Sequence, residues 1–360
     1  MTLIDPARAP SIAVVGGGIA GMSAACALVD QGARVLVFDK GRGPGGRTST
    51  RRRDDLRFDH GAQYFTARDE RFERAVARWV DAGVASPWRG RIGQVTNPGV
   101  IEEKPSARVR YVGVPGMNAV VRHLASSLGS RGEVRFGVRV TAAVLVEGRW
   151  LLKGDRNADL GTFDALIVAL PAPQAAVVLN DAPGLFEQAL AIPMLPCWSV
   201  MASFDRRLPV ESDGIFVNME SGTGDAQLSW VARDSSKPQR PPGEAWVLHG
   251  SPGWSEANIE RDPREVAEAL LVAFFRAVGI SAETPSTLDA HRWRFANAEP
   301  RTSEGCLFDR QRLLAACGDW ANGGRVEGAY LSGVQAAECM ISEMLRRAQE
   351  QPTSSRPWPR

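Results

Sequence analysis

S-I-A-V-V-G-G-G-I-A-G-M-S-A-A-C-A-L-V-D-Q-G-A-R-V-L-V-F-D-K-G-R-G-P-G-G-R, residues 11–47, decides how the rest of the chain is read. Ile12 to Val15 form an apolar strand that runs into Gly16-x-Gly18-x-x-Gly21. A helical pattern follows, its apolar face built from Met22, Ala25, Cys26, Leu28 and Val29, and Gly32 ends it. A second apolar strand, Val35 to Phe38, closes on Asp39. G-x-G-x-x-G alone marks many ordinary turns. Strand, helix, second strand and terminal acid together make a βαβ dinucleotide fingerprint. Gly16 permits the tight turn, Gly18 lets backbone approach a pyrophosphate, and Gly21 lets helix and strand pack closely. The amides of the helix start, at Ile19 and Ala20, and the positive end of its dipole suit the phosphates. Asp39 is placed to accept hydrogen bonds from ribose hydroxyls, which argues against a 2′-phosphate there.

The chain of 360 residues has room for two domains, or one core with a large insertion. A net charge of +2 points to neither nucleic acid nor a membrane surface. The N-terminus lacks a basic region followed by an apolar run, so no signal peptide is expected, and no stretch reaches the length of a membrane span. Cys26, Cys197, Cys306, Cys317 and Cys339 are odd in number and widely spaced. A reduced, cytoplasmic protein without disulfides or a metal site is the expectation.

Directly after Asp39, Lys40-Gly41-Arg42-Gly43-Pro44-Gly45-Gly46-Arg47 reads as a loop of turns. Gly45 and Gly46 admit backbone close to a ligand, and Arg42 and Arg47 can pair with phosphate. Arg51, Arg52 and Arg53 read as a solvated face. Helical spacing predicts helices over Glu70–Ala82, Asn118–Leu128, Pro263–Val278 and Tyr330–Arg347. Strands are expected at Ile92–Thr96, Val134–Val144, Trp150–Lys153, Asp164–Ala169, Leu195–Phe204, Gly214–Val217, Gln227–Ala232, Trp246–Ser251 and Leu314–Gly318. Asp234 to Gly243 reads as a polar, Pro-rich loop.

NAD as co-substrate and FAD as resident cofactor both satisfy the fingerprint. NAD dehydrogenases need neither a second glycine loop after the ribose acid nor a late Gly-Asp segment, and this chain has both. With them the sequence resembles the glutathione-reductase-type flavoproteins, in their amine-oxidase branch. The R-x-x-G-G-R-like loop is matched by Arg42, Gly45, Gly46 and Arg47, and the late G-D by Gly318 and Asp319. Within that branch the resemblance narrows to renalase and its bacterial relatives. It rests on Asp59–Asp69 (D-H-G-A-Q-Y-F-T-A-R-D), Tyr111–Asn118, Trp230–Pro238 and Gly318–Ala329 (G-D-W-A-N-G-G-R-V-E-G-A), spread over nearly the whole chain.

The resemblance implies an α/β protein. A Rossmann-type FAD-binding domain (residues 1–66, 111–174 and 296–348) would be interrupted by an α+β substrate domain on a mixed sheet (67–110 and 175–295). A disordered tail would follow at 349–360. It implies non-covalent FAD with its pyrophosphate on Gly16, Gly18 and Gly21, its adenosine ribose on Asp39, and Lys40, Arg42, Gly46 and Arg47 beside the phosphates. Val140 would offer backbone groups to adenine, and Asp319 would hold the ribityl chain. Gly328 and Ala329 would approach the flavin O2 side, and Gly61, Ala62, Gln63 and Tyr64 would lie beside the isoalloxazine. Two departures stand out. No cysteine matches an attachment motif, and Lys237, the one lysine of residues 175–295, does not match the water-holding lysine of many amine oxidases.

With no second dinucleotide motif and no C-x-x-C, an oxidase is the expected chemistry. Renalase-like enzymes oxidise 2- and 6-dihydro isomers of NAD(P), passing a hydride to flavin N5 and then electrons to O2, with hydrogen peroxide as product. Aromatisation drives that step and no proton need be removed, so positioning can supply most of the catalysis. Tyr64, His249 and Trp293 are the candidates for the substrate side; core packing would account for each equally well. The alternatives are a true amine oxidase and a flavin-binding redox sensor without turnover. The remaining partner expectations are O2, no nucleic acid, no membrane, and a monomer or weak homodimer.

Overall fold

The computed structural model describes residues 9–217, 227–299 and 305–350, and two sheets organise them. The first runs Leu307–Asp309, Leu314–Ala316, Ala165–Val168, Ser11–Val15, Arg34–Asp39, Gly132–Phe136. Every neighbouring pair is parallel except the first. Its central strands are apolar on both faces, as a parallel sheet covered on both sides requires. Ile12, Val14, Val35 and Val37 pack under helices Ile19–Asp30, Ala119–Ser126 and Val326–Glu350, through Met22, Leu28, Val121 and Met340. Ala13, Val15 and Phe38 face the other way, onto Trp150, Leu152 and Phe163 of an antiparallel meander (Val140–Val146, Arg149–Gly154, Asp159–Phe163).

The second sheet runs Thr287–Ala298, Met194–Phe204, Glu244–Gly250, Leu228–Arg233, Gly214–Phe216, Ile92–Asn97, Val100–Glu103. It is mixed: Gly214–Phe216 and Ile92–Asn97 are parallel, the other neighbours antiparallel. Helix Pro263–Val278 covers one face. Asp262 caps its start by accepting from the Arg264 amide, and Gly279, at φ 70°, ends it. Leu270 and Phe274 of that helix meet Trp198, Val200, Trp246 and Leu248. By strand alternation, Cys197, Ser199 and Met201 point to the opposite face, toward the first domain. The α/β architecture, a Rossmann-type domain with an inserted α+β unit on a mixed sheet, is as the sequence suggests.

Four expectations change. The strand expected over Val134–Val144 is two strands in two sheets, because Gly137 turns the chain at φ 72° between Phe136 and Val140. Helices Ala172–Val178 and Pro183–Leu190 bury Ala175, Val178, Leu179 and Leu185 against the Rossmann-side core. Packing therefore puts these helices with the first domain, and the inserted sheet resumes at Met194 rather than at 175. Helix Glu70–Asp81, expected in the inserted unit, sets Phe72 and Trp79 against Tyr330 of the C-terminal helix, with ring centroids 5.4 and 5.6 Å apart. The C-terminal helix starts at Val326, four residues before the expected Tyr330, and runs to Glu350. The rest of the expected tail lies outside the described residues. No described helix is long and apolar enough to cross a membrane.

Candidate active site

A cleft of about 1750 Å³ is lined by Gly16 and Gly18 of the fingerprint, the loop after Asp39, the 60–66 segment and the inserted sheet. The three glycines divide their labour. A Cβ on Gly16, which sits at φ 109°, would lie 2.4 Å from the Ala169 carbonyl oxygen, and one on Gly21 would lie 1.8 Å from that of Gly16. A Cβ on Gly18 would meet nothing within 4 Å. Gly18 thus leaves open space where the helix start, with Ile19 and Ala20, faces the cleft. That is the cradle a pyrophosphate needs. Gly21 does not reach the cleft; its place is under the turn, and the expected phosphate contact there is corrected.

Asp39 accepts from the amides of Gly17 and Gly41, both at 2.6 Å, and so fastens the two glycine segments to each other. Its carboxylate also lines the cleft and retains lone pairs for ribose hydroxyls. Lys40, whose Nζ lies 3.3 Å from Gln174 Oε1, lines the cleft with Arg42, Gly46 and Val140. Arg47 and Asp319, expected at phosphates and ribityl respectively, are brought together in a two-pronged ion pair. Ala329 lines the cleft, but Gly328 does not: a Cβ there would lie 1.6 Å from the Asn322 carbonyl oxygen. Because the helix starts at Val326, Gly328 is a close-packing residue of its first turn.

The 59–64 segment is held from beneath by buried charge. Asp59 accepts from Met117 N (2.9 Å), Thr50 Oγ1 (2.7 Å), Lys237 Nζ (3.2 Å) and Arg240. Lys237 also donates to Asp234 at 2.5 Å and to Gln63 Oε1 at 3.3 Å. Burial alone would raise the Asp59 pKa, but Lys237 and Arg240 hold it down at about 2. Asp234, buried and facing Asp59, is pushed up. The charges of the polar Asp234–Gly243 loop are sealed in the interior, and Gln63, which lines the cleft with its neighbours, bonds inward to Lys237 and the Asp59 carbonyl. Lys237 does not line the cleft, so it cannot hold a water there.

Gly61, Ala62 and Tyr64 line the cleft, as do His249 and Trp293. Tyr64 packs near Trp230 (5.6 Å) and Trp88 (6.4 Å), with Arg110 over its ring at 5.4 Å. Trp293 Nε1 donates to the His60 carbonyl at 2.7 Å, so only its ring is offered. One row crosses the inserted sheet: His291 opposes Ser199, Ser199 opposes His249, His249 opposes Trp230, and Trp230 opposes Phe216. Arg51, expected to be solvated, is half-buried and reaches His291 Nδ1 at 3.2 Å. Burial first, then His291 and Arg51, push the His60 pKa down to about 3. Burial and Lys237 push His249 to about 4, and burial and Arg51 do the same to His291. All three imidazoles are neutral at physiological pH. His60, His291, Trp230 and Arg110 escaped the sequence reading as site residues. Alternation in the strands that carry Trp230 and His291 is the signal that could have found them.

Residues 14–79 match the NAD(P)-binding Rossmann-like domain, and residues 94–341, more than half of the chain, match the flavin containing amine oxidoreductase family. Among curated proteins, a carotenoid 3,4-desaturase of Haloarcula japonica is 48% identical over 66 residues, 18% of this chain and 13% of that protein. A carotenoid phi-ring synthase of Streptomyces griseus is 54% identical over 41 residues, 11% of this chain and 8% of that one. The chain thus spans only a small part of these relatives' length. Cyclohexylamine oxidase from Brevibacterium oxydans superposes with a TM-score of 0.71 at 14% identity, over 94% of this chain and 100% of that one. Wild-type putrescine oxidase bound to putrescine gives 0.66 at 15%, over 92% and 99%. An oxidoreductase from Methanosarcina mazei gives 0.67 at 13%, over 91% and 100%. At these identities the likeness is one of fold.

Proposed function

The chain belongs to the flavin containing amine oxidoreductase family, and on that premise we propose that it is a renalase-like, FAD-dependent oxidase of isomeric dihydronicotinamide dinucleotides, with its FAD bound non-covalently. The observation that carries the substrate class is the charge of the cleft. Its acids are Asp39, Asp319 and Glu327, far outnumbered by arginines. Each acid already accepts bonds, Glu327 from the amides of Arg68 and Asp69 at 2.6 and 2.8 Å. Arg68, Arg108, Arg110 and Arg325 are among them, and Arg110 stands over the Tyr64 ring. An anionic dinucleotide suits that setting and a protonated amine does not.

Gly18 and the Ile19 and Ala20 amides would hold the FAD pyrophosphate, Asp39 the adenosine ribose, and Val140 the adenine. The Arg47–Asp319 pair would stand beside the ribityl chain, with Gly61, Ala62, Tyr64 and Ala329 toward the ring. Bound flavin supplies the two-electron acceptor that turns 2- or 6-dihydro-NAD(P) into NAD(P)+ and, through O2, yields hydrogen peroxide. The chain itself need only orient the dihydropyridine and exclude water. Imidazoles made weakly basic by burial, and no lysine beside them on the cleft wall, agree with a step that removes no proton.

A second reading, an amine oxidase, draws on the aromatic group of Tyr64, Trp230 and Phe216, which could face an alkylammonium. Anaerobic mixing separates the two. Rapid bleaching of the yellow holoenzyme by 6-dihydro-NAD(P), with amines inert, is the expected result. Bleaching by amines alone would replace this reading with the second, and bleaching by neither would leave a flavin-binding protein without turnover.

A further inference from the structure

A dinucleotide substrate bound beside FAD brings a second diphosphate into the same cleft, and the chain carries only one G-x-G-x-x-G cradle. Side chains must meet the second. On the cleft wall Arg47 is paired with Asp319, and Arg292 and Arg294 with Glu260. Arg42 and Arg139 flank Asp39 and Val140, whose segments join where Val138 N donates to the Asp39 carbonyl at 3.0 Å, the end assigned to the adenosine of FAD. Arg68, Arg108, Arg110 and Arg325 have no carboxylate partner among the described residues.

Backbone pairing draws these four to one stretch of wall. Phe65 and Tyr111 exchange both backbone hydrogen bonds, each 2.8 Å, in an antiparallel bridge. Counting outward along the two segments brings Arg68 opposite Arg108, and Arg108 Nη1 reaches the Ala67 carbonyl at 3.2 Å. Arg110 stands over the Tyr64 ring, 5.4 Å from its centroid. Glu327 accepts from the amides of Arg68 and Asp69, which ties residue 68 to the helix start two positions after Arg325. Arg68 and Arg325 also share the wall of a neighbouring recess of about 380 Å³.

The acids of this stretch are already engaged. Glu327 is buried with Oε1 on those two amides, and Asp69 bonds the amide and guanidinium of Arg71. Like charges held opposite one another repel, so their convergence favours an anion between them. Arg68, Arg108 and Arg325 are exposed and Arg110 half-buried, so a ligand entering the cleft can reach them. Guanidinium groups bind phosphate oxygens two at a time.

We propose that Arg68, Arg108, Arg110 and Arg325 take up the diphosphate of the dinucleotide substrate. The assignment rests on the dihydronicotinamide reading and deepens it. It gives the substrate a second anchor besides its pyridine ring, and it makes the four arginines determinants of the preference for a whole dinucleotide over its nucleoside.

The test uses oxidised holoenzyme and three probes, NAD+, nicotinamide mononucleotide and nicotinamide riboside, which share the ring and differ in phosphate. Binding is followed by perturbation of the flavin absorbance, and flavin content is measured alongside. Wild type should bind NAD+ about 10-fold more tightly than the riboside, with the mononucleotide between them, and added salt should erode that advantage. Arg68→Gln and Arg108→Gln should each weaken NAD+ by about 3-fold and leave the riboside unmoved. Combined, they should bring the ratio near one. Arg71→Gln, which removes a charge bound to Asp69 outside the cleft, should leave the ratio as it is in wild type. A wild type without preference, variants that weaken all three probes alike, or a ratio that survives in the combined variant would each overturn the assignment. If the 6-dihydro forms of NAD and of the riboside bleach the wild-type flavin with equal efficiency, the functional reading stands and the arginine site falls. If no dihydropyridine bleaches the wild type and no probe binds, the functional reading fails and the site goes with it.

Discussion

The guanidinium of Arg47 clasps the Asp319 carboxylate with both terminal nitrogens, at 3.1 and 2.5 Å, across 272 positions of sequence. The same guanidinium donates to the Ala296 carbonyl at 3.1 Å. One side chain thereby ties the glycine loop, the edge strand of the inserted sheet and the segment before the C-terminal helix together at the cleft wall. Asp319→Asn keeps the shape and removes the charge. The expected result is about 10-fold weaker flavin binding, read from flavin released on dilution. Global stability should move by only about 1 kcal/mol, because Arg47 is partly exposed. A stability loss with flavin affinity intact would make the pair a strut rather than part of the cofactor site.

The glycines make opposite predictions. Gly18→Ala should fold normally, since its Cβ meets nothing, yet retain little flavin because the methyl enters the phosphate cradle. Gly328→Ala drives a methyl into the Asn322 carbonyl and should lower stability by about 3 kcal/mol. Thermal melts and flavin-to-protein absorbance ratios distinguish the two. Equal behaviour of the two variants would contradict the geometry.

Lys237→Met leaves the carboxylates of Asp59 and Asp234 facing each other in the interior with Arg240 as their remaining cation. Removing one partner of a buried pair typically costs about 3–5 kcal/mol. Urea unfolding of the holoenzyme should register a loss of that order, and adding Asp234→Asn should restore a substantial part. Additive losses in the double variant would show that the two groups do not share one network.

Acid should find the histidines before it finds Asp59. The folded-state pKa values of His60, His249 and His291, about 3 to 4, lie below the ordinary 6.5. The unfolded chain therefore binds more protons in that interval, and stability falls as pH drops from 6.5 toward 4. For the fully buried His249 the slope is up to about 1.4 kcal/mol per pH unit. Asp59, depressed from 3.8 to about 2, adds its own loss only below that window. Urea midpoints measured across the interval should decline, and His249→Gln should flatten the decline by about one proton. A midpoint constant down to pH 4 would mean that these rings are not held neutral.

The sequence by itself determined the cofactor end of this protein. Gly16, Gly18, Gly21 and Asp39 act over a few residues of backbone, where glycine conformation and strand–helix periodicity are local properties. It also indicated that Asp59–Tyr64 and Gly318–Ala329 matter, although Gln63 belongs to the buried charge network as well as to the cleft wall and Gly328 packs against Asn322. Only the tertiary structure decided which residues meet. Ser199, His249 and Trp230 lie on three strands, and their alignment is set by sheet register, which depends on pairing between distant segments. The same holds for Lys237 beneath the 59–64 loop and for Arg47 against Asp319. In sequence, Lys237 reads as an ordinary charge on a polar loop, and Arg47 and Asp319 read as two separate cofactor contacts. A charge changes its chemistry when long-range packing takes it out of water, and local sequence does not encode that step.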